Sequence, residues 1–177
     1  SARELTGIDV MKGLKAQALL KSERPVWDAY EANTVSLPTG EVYTDWQTGM
    51  IDTINSTPGS IEAYSWCEYL AYAQKPYQYF ADAYIMANRD WFDSLPEDLQ
   101  SLVMEVGAEV GELATNTILD AGENTLSKFV DRGGIVTTLS GSEKAKFNAM
   151  MADKVMPAMA DMFDSEVLLA AEKFASQ

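Results

Sequence analysis

Leu99, Leu102, Val103, Val106, Val110 and Leu113 recur at spacings of three and four, the pattern of one apolar face on a helix. The stripe continues through Thr117, Ala121, Phe129 and Val130, and nothing breaks it before Gly133-Gly134. Gly107, Gly111 and Gly122 weaken it, each by a fraction of the helix propensity that an alanine would carry. Ser94-x-x-Glu97 has the form of a capping box, and Pro96 suits a first helical turn. The spacing therefore predicts one helix over about 95–131, several times the ordinary length of about 12 residues. A helix that long is expected to brace more than one layer of structure.

Upstream the periodicity changes. Leu14 to Leu20 has strand length, Arg24–Tyr30 reads as a helix with Pro25 in its first turn, and Thr34–Leu37 is a short β-branched strand. The stretch "GEVYTDWQTGMIDTIN" (40–55) places Val42 and Trp46 on one helical face, stops at Gly49, and continues into a strand over 50–54. That strand runs into the polar cluster Asn55-Ser56-Thr57-Pro58 rather than a plain turn. Strand, helix, strand, helix, strand is the α/β pattern, which implies a mostly parallel sheet flanked by helices. Further along, 61–73 reads as a helix, 77–88 as an aromatic extended strand, and 134–139 as a strand. Ser140-x-x-Glu143 is a second capping box whose helix Pro157 interrupts, and a last helix spans 165–175. Residues 1–177 read as one structural unit.

Chemistry is constrained by what is missing. The chain has no histidine, which removes histidine-based triads, histidine general acids and histidine metal sites. Its one cysteine, Cys67, forms no internal disulfide and reads as a buried, inert thiol. No EF-hand spacing, Walker pattern or GxGxxG occurs, so neither a metal nor a cofactor is expected. The acids Asp90, Asp93, Glu97 and Asp98 suit a helix start rather than a site. Aspartate and glutamate number 27 against 13 lysine and arginine, a net charge of −14, which repels nucleic-acid phosphates and anionic lipid. No apolar run approaches the roughly 20 residues of a membrane span, and no signal-peptide pattern is present. No nucleophile–base pair stands out, and no catalytic residue is assigned. The aromatics Trp66, Tyr69 and Tyr72 read as packing, while Tyr77 and Tyr79, beside Pro76, are candidate ligand-stacking residues.

Three segments carry a resemblance. "KGLKAQA" (12–18), "SLPTGEVYTDWQTGMID" (36–52) and "NRDWFDSLPEDLQ" (88–100), in this order, are similar to the solute-binding proteins of tripartite ATP-independent periplasmic (TRAP) transporters, the DctP-like family. "GEVYTDWQTGMID" is close to that family's "EVYxALQTGxVDG", and "LSGSEKAKF" (139–147) echoes its "LSPEE" helix start. The resemblance covers residues 12 to about 150. It implies two α/β lobes around a cleft, a long helix crossing both, a periplasmic location, and delivery of the solute to membrane permease subunits. It also implies that this chain matches the second lobe and the C-terminal helices, with the first lobe and signal peptide lying outside it.

The resemblance further nominates the ligand contacts. The family's "GLKxR" arginine, which pairs with a substrate carboxylate, is replaced here by Gln17. Thr39 and Gly40 stand where the family places a phenylalanine, and Asn55 and Ser56 lie where an asparagine or tryptophan is usual. Gln17, Thr39, Asn55, Ser56, Tyr77 and Tyr79 are thus the expected ligand-binding set. A neutral amide at 17 favours a neutral or zwitterionic polar solute, unless another arginine such as Arg24 takes over a carboxylate. The alternative is a non-catalytic interaction or regulatory domain on the same scaffold, with no small-molecule ligand. A long apolar stripe without full cover would also drive a homo-oligomer.

Overall fold

The computed structural model describes residues 1–76 and 83–175. Among the described residues four short strands form two parallel pairs. β1 (Lys15–Gln17) lies beside β2 (Asn33–Val35), with Lys15, Ala16 and Gln17 opposite Asn33, Thr34 and Val35. β3 (Tyr72–Lys75) lies beside β4 (Ile135–Thr138), with Tyr72 opposite Ile135 and Lys75 opposite Thr138. The expected strand over 50–54 is reduced to one parallel bridge, Thr53 against Ala16. Backbone polar groups in a core require partners, and residues 1–2 supply them between the pairs. The Ser1 carbonyl accepts from the N–H groups of Ala71 and Tyr72, each at 3.0 Å, and the Ala2 N–H donates to Asp52 at 3.0 Å. The α/β reading holds; the sheet is narrower and more interrupted than a run of regular strands.

Among the described residues two apolar clusters sit on this frame. One gathers Leu5, Ile8, Met11, Leu14, Ala16, Trp27, Tyr30, Leu139 and Met150. Helix α1 (Arg24–Ala29) contributes Trp27 to it and carries Pro25 in its first turn, as its sequence implies. The second is Val42, Trp46, Ile51 and Trp66, where the Trp46 and Trp66 rings meet edge-on at 6.3 Å. Helix α2 (Val42–Gln47) supplies Val42 and Trp46. Gly49, at φ +67, turns the chain out of that helix through a left-handed conformation that glycine adopts without steric cost.

The segment 61–73 departs from its helical reading. Helix α3 is only Pro58–Ala63; the Thr57 hydroxyl accepts from the Ser60 N–H at 3.2 Å to start it. Ser65 then takes φ +56, a single 3-10 turn follows at Trp66–Glu68, and the chain enters β3. Burial of Trp66, 2% exposed, and pairing of β3 with β4 outweigh the local helical periodicity.

Helix α4 (Arg89–Asp93) precedes the long helix, and Asn88 caps it, its side chain accepting from Trp91 N–H at 3.0 Å. Ser94 is therefore not the expected cap of the next helix. Its hydroxyl donates backwards to the Trp91 carbonyl at 2.6 Å, and Pro96 occupies the N-cap position without a side-chain bond. Helix α5 (Glu97–Asp131) has 35 residues, about 52 Å at 1.5 Å per residue. Only Thr125 and Phe129 are buried along it, while Leu99, Leu102, Val103, Val106, Val110 and Leu113 are exposed. Of the expected strand over 77–88, residues 77–82, with Tyr77 and Tyr79, lie outside the described residues, and 83–88 has no regular structure.

The C-terminal region follows its signals. Helix α6 (Gly141–Met150) opens on Ser140, whose hydroxyl accepts from Glu143 N–H at 3.2 Å. The chain widens into a π-helical stretch over Met151–Val155 before α7 (Met156–Met159), which holds Pro157. Proline has no N–H for the carbonyl four residues back, so the interruption falls just before it. Helix α8 (Ser165–Ala175) ends the described chain.

Candidate ligand-binding site

Ligands of open α/β sheets gather beyond the carboxyl ends of strands. Here the polar cluster after Thr53 and the end of β3 meet at a cavity of about 130 Å³. Its polar lining residues include Ser1, Thr53, Asn55, Ser56, Gln74 and Lys75, and Trp27, Ile61, Leu70 and Leu126 are among the apolar ones. The volume is close to the roughly 150 Å³ engineered cavity that accepts benzene. A compact group fits, beside the amide of Asn55 and the hydroxyl of Ser56.

The wall is held by a clamp between α3 and α5. The Thr125 hydroxyl donates to Glu62 Oε2 at 2.8 Å, and Lys128 Nζ donates to Oε1 at 2.5 Å. Lys128, with Thr125 second, holds the Glu62 carboxyl below its ordinary range. The neighbours of these residues, Ile61 and Leu126, are thereby fixed on the cavity. Gln74 is oriented by its amide, which donates to the Leu5 carbonyl at 3.1 Å.

Asn55 and Ser56 of the expected set face the cavity. Gln17 ends β1, is 5% exposed, and donates through Nε2 to the Leu37 carbonyl at 3.0 Å; it is not among the cavity's lining residues. Thr39 lies half-buried in the 3-10 turn Thr39–Glu41 before α2 and is also outside the lining. Trp27, Gln74 and Lys75 were not expected. The helical reading of 61–73 hid the strand that delivers Gln74 and Lys75, and a strand end just before Pro76 is the signal that would have found them. Cys67 is half-buried rather than buried, with Arg132 Nη1 donating to its sulfur at 2.9 Å.

The cavity's charge opposes that of the whole chain. Among the described side chains lining it, Lys75 carries the one positive charge, and none is acidic. Lys75 Nζ stands 3.6 Å from Glu123 Oε1 on α5, outside the lining. Among the described residues no group of three or more His, Cys, Asp or Glu side chains could hold a metal ion. Among them, too, no helix is long and apolar enough to cross a membrane.

Comparison with known proteins gives a consistent picture. The model for bacterial extracellular solute-binding protein, family 7, matches residues 1–162. A solute-binding protein of Sulfitobacter sp. strain NAS-14.1 is 27% identical over 144 residues, covering 75% of this chain and 44% of that protein. A TRAP periplasmic solute-binding protein from Desulfovibrio salexigens, solved with bound orotic acid, superposes with a TM-score of 0.87 at 23% identity. That superposition covers 99% of this chain and 58% of the other. One from Shewanella oneidensis, solved with bound succinate, gives 0.84 at 22% identity, over 94% and 55% of the two chains. These likenesses show the α/β periplasmic-binding-protein-like fold, long helix included. The chain spans about half the length of the curated relatives it matches.

Proposed function

Because the chain belongs to the bacterial extracellular solute-binding protein family 7, we propose that it captures a small polar solute in the periplasm for a TRAP-type secondary transporter. The solute is held without chemical change and passed to the transporter's membrane permease subunits. The observation that carries this reading is the cavity where Asn55 and Ser56, following the Thr53 bridge, meet Gln74 and Lys75 at the end of β3. A compact space with convergent amides, a hydroxyl, one cation and an apolar wall is built to hold a ligand in one orientation.

In this reading residues 1–177 form the second lobe and C-terminal helices of a two-lobe protein, and they supply one side of an interlobe cleft. Asn55 and Ser56 hydrogen-bond the solute. Gln17 and Thr39 shape the neighbouring edge, Gln17 by tying β1 to Leu37. The bound acids of the two superposed relatives, orotic acid and succinate, support a small carboxylic acid as the first class to test.

The test is a thermal-shift screen of the full-length protein with small organic acids, amino acids and polyols. A ligand that binds only the folded state raises the midpoint by mass action, worth about 2.7 kcal/mol at a hundredfold excess over Kd. A rise confined to one compound class is expected. A flat response across the panel would overturn solute capture and favour an interaction domain on the same scaffold.

A further inference from the structure

We propose that Glu62 is a positioning residue of this cavity: by clamping α3 to α5 through Thr125 and Lys128, it sets where Asn55 and Ser56 stand toward the solute. The inference rests on the solute-capture reading and assigns a residue of that same site that does not itself touch the solute.

The segment carrying Asn55 and Ser56 is short and has an anchor at each end. On one side Thr53 is fixed against Ala16 by the parallel bridge. On the other, Thr57 is the N-cap of α3, its hydroxyl accepting from the Ser60 N–H at 3.2 Å. Asn55 and Ser56 lie between these anchors and line the cavity. A shift of α3 therefore moves both side chains.

Helix α3 does not hold that position by itself. It has six residues, and none of them is buried. Isolated helices shorter than about 12–15 residues are marginal in water, so its place depends on what it is docked against. Ile61 packs half-buried against the Val42–Trp66 cluster. Pro58 approaches α5 where Gly122 has no side chain; a Cβ there would lie 3.8 Å from Pro58 Cγ. Such apolar contacts are non-directional. The directional tie is Glu62, which uses both carboxylate oxygens: Oε2 accepts from the Thr125 hydroxyl at 2.8 Å and Oε1 from Lys128 Nζ at 2.5 Å.

The two halves of this tie differ in weight. The Glu62 and Lys128 side chains are 42% and 51% exposed, and an ion pair of that kind contributes little. Thr125 is 6% exposed, so loss of its partner leaves a hydroxyl buried without this bond, which costs more. The next residue of α5, Leu126, lines the cavity, as does Ile61 beside Glu62, whereas Glu62 stands outside the lining. Glu62 therefore acts on the solute through its neighbours, by fixing α3 in register with the turn of α5 that holds Thr125.

The experiment uses the full-length protein and its variants Glu62→Ala, Thr125→Val, Thr125→Ser and the double variant Glu62→Ala with Thr125→Val. Circular dichroism establishes that each is folded. Amide hydrogen exchange is followed without solute at Ile61, whose N–H donates to the Thr57 carbonyl, and at Tyr64, whose N–H donates to the Ser60 carbonyl. Affinity is read by calorimetric titration with succinate and orotate, and with the compound that the thermal-shift screen selects where neither acid binds. Glu62→Ala is expected to exchange both amides faster and to lose about five- to tenfold in affinity. Thr125→Val is expected to lose about threefold, and Thr125→Ser, which keeps the hydroxyl, to bind like the unmodified protein. The double variant is expected to bind as Glu62→Ala does, because the two residues act as one unit. Rescue by Thr125→Ser separates this role from a general loss of stability. Unchanged exchange at Ile61 and Tyr64, or equal affinity in Glu62→Ala, overturns the assignment of Glu62 and leaves solute capture standing. A flat thermal-shift screen of the unmodified protein overturns solute capture itself, and the role of Glu62 with it.

Discussion

The side-chain amide of Gln17 donates to the Leu37 carbonyl at 3.0 Å, tying the end of β1 to the segment that leads into α2. Gln17 is 5% exposed, so this bond cannot be replaced freely by water. Removing the bond with Gln17→Leu is expected to cost about 1 kcal/mol, a fall in Tm of roughly 2–4 °C for a domain of this size. Affinity for the solute should change little, because Gln17 is not among the residues lining the cavity. Scanning calorimetry and titration on the same variant check both; a large loss of affinity at unchanged Tm would make Gln17 a direct ligand contact.

Glu143 on α6 accepts from the Ile8 N–H at 2.9 Å and pairs with Lys146 at 2.7 Å, fastening the N-terminal segment to that helix. Lys146, then the Ile8 N–H, hold its carboxyl below the ordinary range. A carboxyl group whose pKa is lower in the folded state stabilises the fold above its unfolded pKa of about 4.3 and loses that contribution as pH falls through the folded value. The protein should therefore melt above Glu143→Gln at pH 6, and the two curves should converge as pH drops below about 4. A gap that stays constant from pH 6 to pH 3 would show that this carboxylate is not the coupled group.

Gly134 packs against the ring of Phe129, which is 6% exposed; a Cβ at 134 would lie 2.4 Å from Cζ of that ring. Gly134→Ala must displace a buried aromatic side chain at the junction of α5 and β4, at a cost of about 1–3 kcal/mol. Gly141→Ala, whose Cβ would meet nothing within 4 Å, is the matched control and should change stability little. Chemical denaturation of both variants gives the comparison, and equal midpoints would contradict the packing.

The face of α5 carrying Leu102, Val106, Val110 and Leu113 is exposed in the chain as it stands. Contiguous apolar surface of that kind drives association. Light scattering of the 177-residue chain should give a dimer or larger species, and Val106→Glu with Val110→Lys should shift it toward monomer. A clean monomer at tens of micromolar, without dye-accessible apolar surface, would show that the face is not adhesive.

Features whose cause lies within a few residues were legible in the sequence. The period of Leu99 to Val130 specifies α5, the left-handed Gly49 ends α2, Ser140 caps α6, and Pro157 follows a break, because each is a local hydrogen-bond or steric requirement. The placement of Asn55 and Ser56 beyond a sheet-forming segment was legible for the same reason. The fate of 64–73 was not. Its local pattern is helical, and only the distant strand β4, reached through the whole of α5, offers the backbone partners that turn Tyr72–Lys75 into a strand. Ser94 likewise passes to the preceding helix because α4 forms there and presents the Trp91 carbonyl. Residues 1–2, which join the two strand pairs, carry no signal of that role. The cavity is decided at this level too: Lys75 and Asn55 share a wall because long-range pairing brings two strand ends to one edge, and no local spacing records that pairing.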